Sequence, residues 1–351
     1  ILRCSRPYIA KMLSRNRAGS YICRGVNNNM IKTTVVIPNY NGIKYMEDCL
    51  TFLSRCKETE FATIVVDNGS SDGSRELVAE KFPWVELIVN EENLGFCKAV
   101  NQGIRASRTP YVLLLNNDTV VDDRFVANLE KSMDARPGYF SISAKMLSMK
   151  EPEIIDDAGD FYCALGWAFA RGKGMDSGRY TEPSKIFAAC GGAAIYRRDV
   201  FAKIGYFDEN HFAYLEDIDI GYRARIFGYQ NGYCPDAIVY HAGSGASGSR
   251  YNAFKVDLSS RNSIYLIYKN MPLLQLILNL PFLLLGFLVK TLFFIKKGFG
   301  LLYLRGLWKG IRLSCSKEGR KHKIPFSARR LWQYCKIQGM LYAGVVRRLI
   351  H

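Results

Sequence analysis

Between Lys32 and Leu115 short apolar runs alternate with amphipathic segments, and the runs end in polar turns. Residues 33–37 stop at Pro38-Asn39-Tyr40-Asn41-Gly42, residues 63–66 at Asp67-Asn68-Gly69-Ser70-Ser71-Asp72-Gly73, and residues 111–115 at Asn116-Asn117-Asp118. Residues 85–89 form a further run. Wholly apolar, β-branched runs of this length predict strands buried on both faces. Apolar residues at helical spacing predict helices over 45–56, 74–82 and 95–106. The alternation predicts an α/β fold with a mostly parallel sheet. Such sheets bind ligands beyond the carboxyl ends of their strands, where the clusters at Asn39, Asp67 and Asn116 fall. The pattern then loosens: loops and short antiparallel strands are expected over 159–192, strands over 188–196 and 237–240, and helices over 200–204 and 215–227. A loop rich in Gly and Ser follows His241.

The formal charge of +16 is distributed unevenly over the 351 residues. Beyond Asp257, seventeen Lys and Arg face the single Glu318, and residues 1–29 hold six basic residues and no acidic one. The body from Met30 to Asp257 is therefore acidic, at −6. Nucleic-acid binders place basic and aromatic residues in a folded groove, so this distribution argues against a nucleic-acid partner. The basic tail surrounds an apolar run, 273–289, broken only by the polar Gln275 and Asn279; extension to Ile295 adds one charge, Lys290. A spanning helix needs about 20 apolar residues, and Pro281 with dense flanking cations suits an interfacial or re-entrant segment equally. The tail is expected to meet an anionic membrane surface. The ten cysteines are scattered without a C-x-x-C pair, which predicts reduced thiols in a cytosolic protein and no structural zinc. Residues 1–29 are read as a basic leader outside the fold, with Met30 as the natural start or, alternatively, as a targeting peptide.

No G-x-G-x-x-G follows the first strand, and no Walker A motif is present. The motifs instead resemble those of glycosyltransferase family 2, with the GT-A fold. The resemblance rests on Val36 to Gly42, Val66 to Ser74, Asn93-Leu94-Gly95-Phe96 with Ala99 and Asn101 through Gly103, Leu113 to Asp118, and Gly191 through Glu216-Asp217-Ile218-Asp219. It covers residues 32–262 and looks closest to the rhamnosyltransferase-like branch, which builds bacterial surface polysaccharides. A catalytic domain is expected over 30–262, with a nucleotide-binding half (30–120) and an acceptor half (121–262), followed by a helical, membrane-associated region (263–351).

The resemblance implies a nucleotide-sugar donor, dTDP-rhamnose or a UDP-sugar, bound by Pro38, Asn39, Tyr40, Asp67, Lys98, Asn116 and Asn117. Asp67 is implied to accept a hydrogen bond from the base. Asp118 falls at the family's Asp-x-Asp position, although Asn116 replaces its first Asp and lowers the charge. Asp118 and the late His241 are implied ligands of Mg²⁺ or Mn²⁺, which prefer oxygen donors. Asp217 is implied to be the base that deprotonates the acceptor hydroxyl in an inverting transfer, with Glu216 positioning the acceptor or Asp217. Asp219 reads as a helix N-terminal charge or supporting group, and Gly191-Gly192 as a close approach to the sugar or acceptor. Arg250 and Arg261 are candidates for the diphosphate. The acceptor is expected to be a glycan or lipid-linked glycan at the inner face of the membrane. The alternative is a catalytically degraded relative that binds sugar or polysaccharide.

Overall fold

The run of β-branched residues at 33–37 forms an interior strand of a ten-stranded sheet. β1 (Thr33–Asn39) lies between β2 (Phe61–Asn68) and β4 (Tyr111–Leu115), parallel to both, and β3 (Glu86–Asn90) extends the parallel set beyond β2. Consecutive residues Val35, Val36 and Ile37 have no exposed surface. Their side chains alternate between faces, so both faces are covered. The helices α1 (Ile43–Leu53), α2 (Ser74–Lys81) and α3 (Phe96–Ala106) follow β1, β2 and β3 in turn. The register sets Asn39 beside Asp67 and Val36 beside Leu114, which brings the three polar turns to one edge. The computed structural model describes residues 31–243 and 251–350. The expected leader, Arg250 and most of the Gly/Ser loop after His241 lie outside the described residues.

Past β4 the sheet becomes mixed. β5 (Thr119–Val121) and α4 (Phe125–Asp134) come first, and β6 (Tyr139–Ser148) then enters the sheet centre. The motif reading does not single out β6, because its inward positions include Ser141, Ser143 and Lys145, all buried. Ser141 Oγ donates to Asn231 Oδ1 at 2.9 Å, and Lys145 Nζ donates to the carbonyls of Ser177 (2.5 Å) and Arg179 (3.0 Å). β7 (Ile155–Asp157) pairs with β6, while β8 (Asp160–Tyr162) and β9 (Ala168–Ala170) form a separate ribbon. After β10 (Ser184–Ile186), β11 (Ala193–Arg197) runs antiparallel to both β4 and β6. α5 (Arg198–Ile204) and α6 (Glu216–Ile226) precede the long β12 (Gln230–His241), which is parallel to β6 and antiparallel to β10 and β5. The expected strand over 188–196 is thus shorter, and residues 237–240 belong to a twelve-residue strand with a register shift between Cys234 and Ile238.

The tail is helical and packs into the same unit, which runs from Lys32 onward. It comprises α7 (Ala253–Asn270), α8 (Leu273–Lys296), α9 (Gly300–Cys315), α10 (Lys317–Lys321) and α11 (Leu331–Ile350). α8 inverts the usual amphipathic pattern. Its buried stripe is Gln275, Asn279, Leu283, Gly286 and Phe294, at helical spacing. Tyr222 Oη donates to Gln275 Oε1 at 2.6 Å, Asn279 and Gln338 exchange bonds of 2.9 and 2.8 Å, and Trp167 Nε1 donates to the Gly286 carbonyl at 3.1 Å. A Cβ on Gly286 would sit 2.1 Å from the carbonyl oxygen of Leu165, so only glycine permits this contact. The rest of the helix is outward and apolar: Leu273, Ile277, Leu280, Leu284, Leu288 and Leu292 are exposed, and the mean hydropathy of its most apolar window is 2.1.

Candidate active site

The turn after β1 is knitted to its neighbours by amides and hydroxyls. Asn39 Nδ2 donates to Asp67 Oδ1 (2.7 Å) and to Ser74 Oγ (2.8 Å), while Asn117 Nδ2 donates to Asn39 Oδ1 (2.7 Å). The Ser70 backbone N–H donates to Asp67 Oδ2 at 3.0 Å. Asn39, Asp67 and Asn117 are all buried. In this arrangement they tie the turns of β1, β2 and β4 together, and Tyr40, at 46% exposed, offers the open surface of the same edge. Pro38 is half-buried at the end of β1, and Lys98 is half-buried in the first turn of α3. The Asn116 N–H donates to the Gly192 carbonyl at 2.9 Å, and a Cβ on Gly192 would approach Asn116 Nδ2 to 3.0 Å. The Gly191-Gly192 pair therefore accommodates Asn116 first.

Strand register builds a second cluster. β12 places His241 opposite Thr119 and Ser148, and β7 runs beside the end of β6. Asp118, His241 and Asp156 consequently meet, with His241 Nε2 3.2 Å from Asp118 Oδ1 and Nδ1 2.7 Å from Asp156 Oδ2. Lys173 in turn pairs with Asp156. Burial alone would push the His241 imidazole down, but its bonds to Asp118 and Asp156 outweigh this and raise it to about 9. Burial raises the Asp156 carboxyl, yet His241 and Lys173 hold it down at about 2. A divalent cation would displace the proton that His241 carries toward Asp118, leaving a carboxylate oxygen and a neutral imidazole nitrogen as its donors. Two ligands at about 2.1 Å from one octahedral ion stand roughly 3 Å apart, which matches the Asp118–His241 spacing. A carboxylate on the far ring nitrogen is the usual device for aiming a metal-binding imidazole.

The third cluster is acidic. Asp217 and Glu216 open α6, and β7, β8 and the turn between them bring Asp157 and Asp160 close by. Burial raises the Asp160 carboxyl well above its usual range, and the charges of Asp157 and Asp217 raise it further. Of the two, Asp160 is therefore the carboxyl favoured to carry the proton of the hydrogen bond it shares with Asp217. Burial also raises Asp217, while that bond and the Ile218 N–H, 2.7 Å from Asp217 Oδ1, pull it back down. Burial and the Asp217 charge push Glu216 up to about 8, and its buried Oε2 has no hydrogen-bond partner among the described residues. The side chains of Asp157, Asp160 and Cys190 converge within 4.8 Å. This group is a poor hard-cation site, because burial pushes Asp157 up to about 7 and the Cys190 thiol well above its usual range. Hard cations also prefer oxygen donors, and the third group here is a buried thiol.

Residues 34–205 match the family model described as glycosyl transferase family 2. The chain carries a family 2 glycosyltransferase domain. It is 28% identical to the N-acetylglucosaminyl-diphospho-decaprenol L-rhamnosyltransferase of Mycobacterium tuberculosis over 230 residues, 59% of this chain and 75% of that protein. It is 23% identical to the poly-beta-1,6-N-acetyl-D-glucosamine synthase of Staphylococcus epidermidis over 207 residues, 57% of this chain and 47% of the synthase. The chain thus spans about half the length of such synthases. Among solved structures, GalNAc-T7 with UDP, GalNAc and Mn²⁺ superposes with a TM-score of 0.53 at 16% identity, covering 69% of this chain and 48% of that one. The mannosyltransferase PcManGT of Pyrobaculum calidifontis, in complex with GDP-Man and Mn²⁺, gives a TM-score of 0.50 at 15% identity and covers 99% of this chain and 94% of that one. The mixed sheet is that of the GT-A glycosyltransferases.

Beyond the matched residues, the loop that delivers Glu216 and Asp217 is backbone-strained. Phe212, Tyr214 and Leu215 all have positive φ, at 63°, 70° and 67°. Such conformations cost on the order of 1–3 kcal/mol each and persist only where neighbours over-determine them. Here α7 does so. Asn262 Nδ2 lies 2.9, 2.9 and 2.8 Å from the carbonyls of His211, Ala213 and Tyr214, and Arg261 Nη2 donates to those of Asn210 and His211 at 2.8 Å each. Arg261 is therefore engaged with this loop. Of the two roles expected of Asp219, its contacts fit the supporting one: it is fully buried and bonded to Arg223 (2.9 Å), Lys269 (2.8 Å) and Asn270 (2.7 Å). Lys269 also holds Asp208 at 2.7 Å. The motifs missed Asp156, Asp160, Asn262 and Lys269. The run Asp156-Asp157-Ala158-Gly159-Asp160 was the available signal, three carboxylates within five residues.

Proposed function

We propose that the chain is a metal-dependent, inverting hexosyltransferase. In this reading it transfers a sugar from a nucleotide-diphosphate donor, dTDP-rhamnose or a UDP-sugar, to a glycan carried on a lipid, in surface polysaccharide synthesis. The observation that carries this reading is the Asp118–His241 pair and the Asp217–Asp160 carboxyl pair, both built on one GT-A domain. Mg²⁺ or Mn²⁺ held by Asp118 and His241 would supply charge neutralisation for the leaving diphosphate. Asp156 fixes the ring so that Nε2 faces the site. Tyr40 and Asn116 face the donor, with Asn39, Asp67 and Asn117 fixing the turns that present them. Asp217 takes the proton from the acceptor hydroxyl as that oxygen attacks the anomeric carbon, and protonated Asp160 keeps Asp217 ionised while burial keeps it basic. Glu216, protonated below pH about 8, donates a hydrogen bond to the acceptor.

The enzyme works on a membrane surface in this account, at its cytoplasmic face. The docked stripe of α8 runs from Gln275 to Phe294, about 29 Å at 1.5 Å per residue. That length nearly equals the hydrocarbon thickness of about 30 Å. A spanning orientation would drag the docked Tyr222 and Trp167 of the catalytic unit through the bilayer, so α8 lies in the interface plane. The test is transfer by the full chain in detergent, using a panel of nucleotide sugars and a lipid-diphosphate-linked GlcNAc acceptor. The product is expected to gain one hexose with inverted anomeric configuration by NMR; binding of a donor without turnover on any acceptor would overturn the enzymatic reading.

A further inference from the structure

A cavity of about 1150 Å³ lies between the catalytic sheet edge and the tail helices. One wall comes from the segment after β9, with Arg171 and Lys173, and from Asp156; the other comes from Lys290 and Phe293 of α8 and from Arg347 and Arg348 of α11. Its charge is one-sided. Among the described residues Lys173 pairs with Asp156, whereas Arg171, Lys290, Arg347 and Arg348 pair with no carboxylate. Arg171 Nη2 is buried without a hydrogen-bond partner. Lys290 and Arg347 rest instead on aromatic faces, Lys290 Nζ 5.7 Å from the Trp167 ring centre and the Arg347 guanidinium 4.4 Å from that of Phe161. Glu151 is the one other carboxylate on the wall. Converging like charges repel most where water is scarce, and guanidinium groups pair well with phosphate oxygens.

Two further features narrow the ligand. The α8 side of the cavity includes Val289 and Phe293, both exposed, and these continue into the apolar outer face of the helix. The opposite side reaches Asp156, which holds His241 at 2.7 Å beside Asp118. A fitting ligand therefore has a multivalent anionic centre, an apolar chain on one side and a polar group directed at the transfer site.

Resting on the reading of the chain as a glycosyltransferase with a lipid-carried acceptor, we propose that this cavity is the acceptor site for a lipid-linked diphospho-sugar. Lys290, Arg347 and Arg348 hold the diphosphate, the lipid chain leaves along Val289 and Phe293 onto the outer face of α8, and the sugar points toward Asp156 and the carboxylates beyond. The volume exceeds the 300–1,000 Å³ of ordinary small-ligand pockets, as a head group plus a sugar requires.

The test is a binding titration of the full chain in detergent with EDTA and no donor, using farnesyl diphosphate, farnesol and inorganic diphosphate as separate probes. Farnesyl diphosphate is expected to bind most tightly. The double variant Arg347→Ala/Arg348→Ala and, separately, Lys290→Met should each weaken it at least tenfold, while Lys317→Ala/Arg320→Ala, exposed on α10, should leave it unchanged. Equal affinity for inorganic diphosphate would make the cavity a free-anion site and overturn the proposal. So would farnesyl diphosphate binding that ignores both cavity variants, or, in a separate nucleotide titration with Mn²⁺, loss of nucleotide binding in those variants, which would give the cavity to the donor. The farnesyl diphosphate titration contains neither donor nor metal, so its failure is separable from failure of the glycosyltransferase reading.

Discussion

Around β1, β2 and β4, the donor edge is fixed by short side chains that belong to the turns themselves: Asn39 bonds Asp67 and Ser74, and Asn117 bonds Asn39. Around α6 the acceptor side is fixed by buried charge brought from far along the chain, as when Lys269 reaches back 50 residues to Asp219. The first region repeats local turn chemistry at the ends of apolar strands. The second holds a strained loop by a clamp that works only when α7 is docked. The difference teaches that the donor edge should tolerate single losses, whereas the acceptor side should fail as a unit.

The largest expected effect breaks the chemistry without touching the donor edge. Asp217→Asn should lower the turnover rate by about 10²–10⁴-fold, the range of a general base, with calorimetric nucleotide binding unchanged. An equal loss of nucleotide binding would show that the two regions are not separable. Next is the contrast in stability. Lys269→Met removes the ammonium from between the buried Asp208 and Asp219 and leaves Asp208 without its close cation, while Asp219 keeps Arg223; stranding a buried partner in this way costs about 3–5 kcal/mol. Asn39→Ala forfeits buried hydrogen bonds at about 1–3 kcal/mol. Urea unfolding followed by circular dichroism compares them, and losses in the reverse order would dissolve the distinction.

A smaller effect concerns the ring that joins the two regions. Asp156→Ala should weaken Mn²⁺ binding by about 10–100-fold, as loss of a supporting carboxylate does, measured by competition with a fluorescent chelator. Unchanged affinity would remove Asp156 from the site. The smallest effect is a shift in pH dependence. Protonated Asp160 lowers the Asp217 carboxyl through their shared bond. Asp160→Ala should therefore raise Asp217 and move the acidic limb of the kcat/KM profile to higher pH. Asp160→Asn keeps a donor and should move it less, and a shift toward lower pH in the alanine variant would contradict the assignment.

The two regions also differ in how much of them a sequence reveals. β1, β2, β3 and β4 and the helices between them were legible because apolar periodicity and turn residues point the same way there. Asp118, His241, Glu216 and Asp217 stand out by motif. Their neighbours do not: Asp156 and Asp160 meet them only through the pairing of β6 with β7 and β12, and β6 carries buried serines and a lysine that mask its strand pattern. Asn262 and Lys269 lie on α7, whose side chains act on residues 48 to 61 positions away, a distance that no local pattern encodes. The apolar run of α8 was visible, yet its docking stripe of Gln275, Asn279 and Gly286 reads in sequence as interruption rather than as contact.

The most direct test of the account is calorimetric titration of the full chain with UDP- and dTDP-sugars, in Mn²⁺ and then in EDTA, for the native protein and Asp118→Asn. The account predicts that a nucleotide-diphosphate sugar binds with Mn²⁺, is released by EDTA, and binds Asp118→Asn weakly at best. Binding indifferent to both EDTA and the substitution, or no binding of any sugar nucleotide, would contradict it.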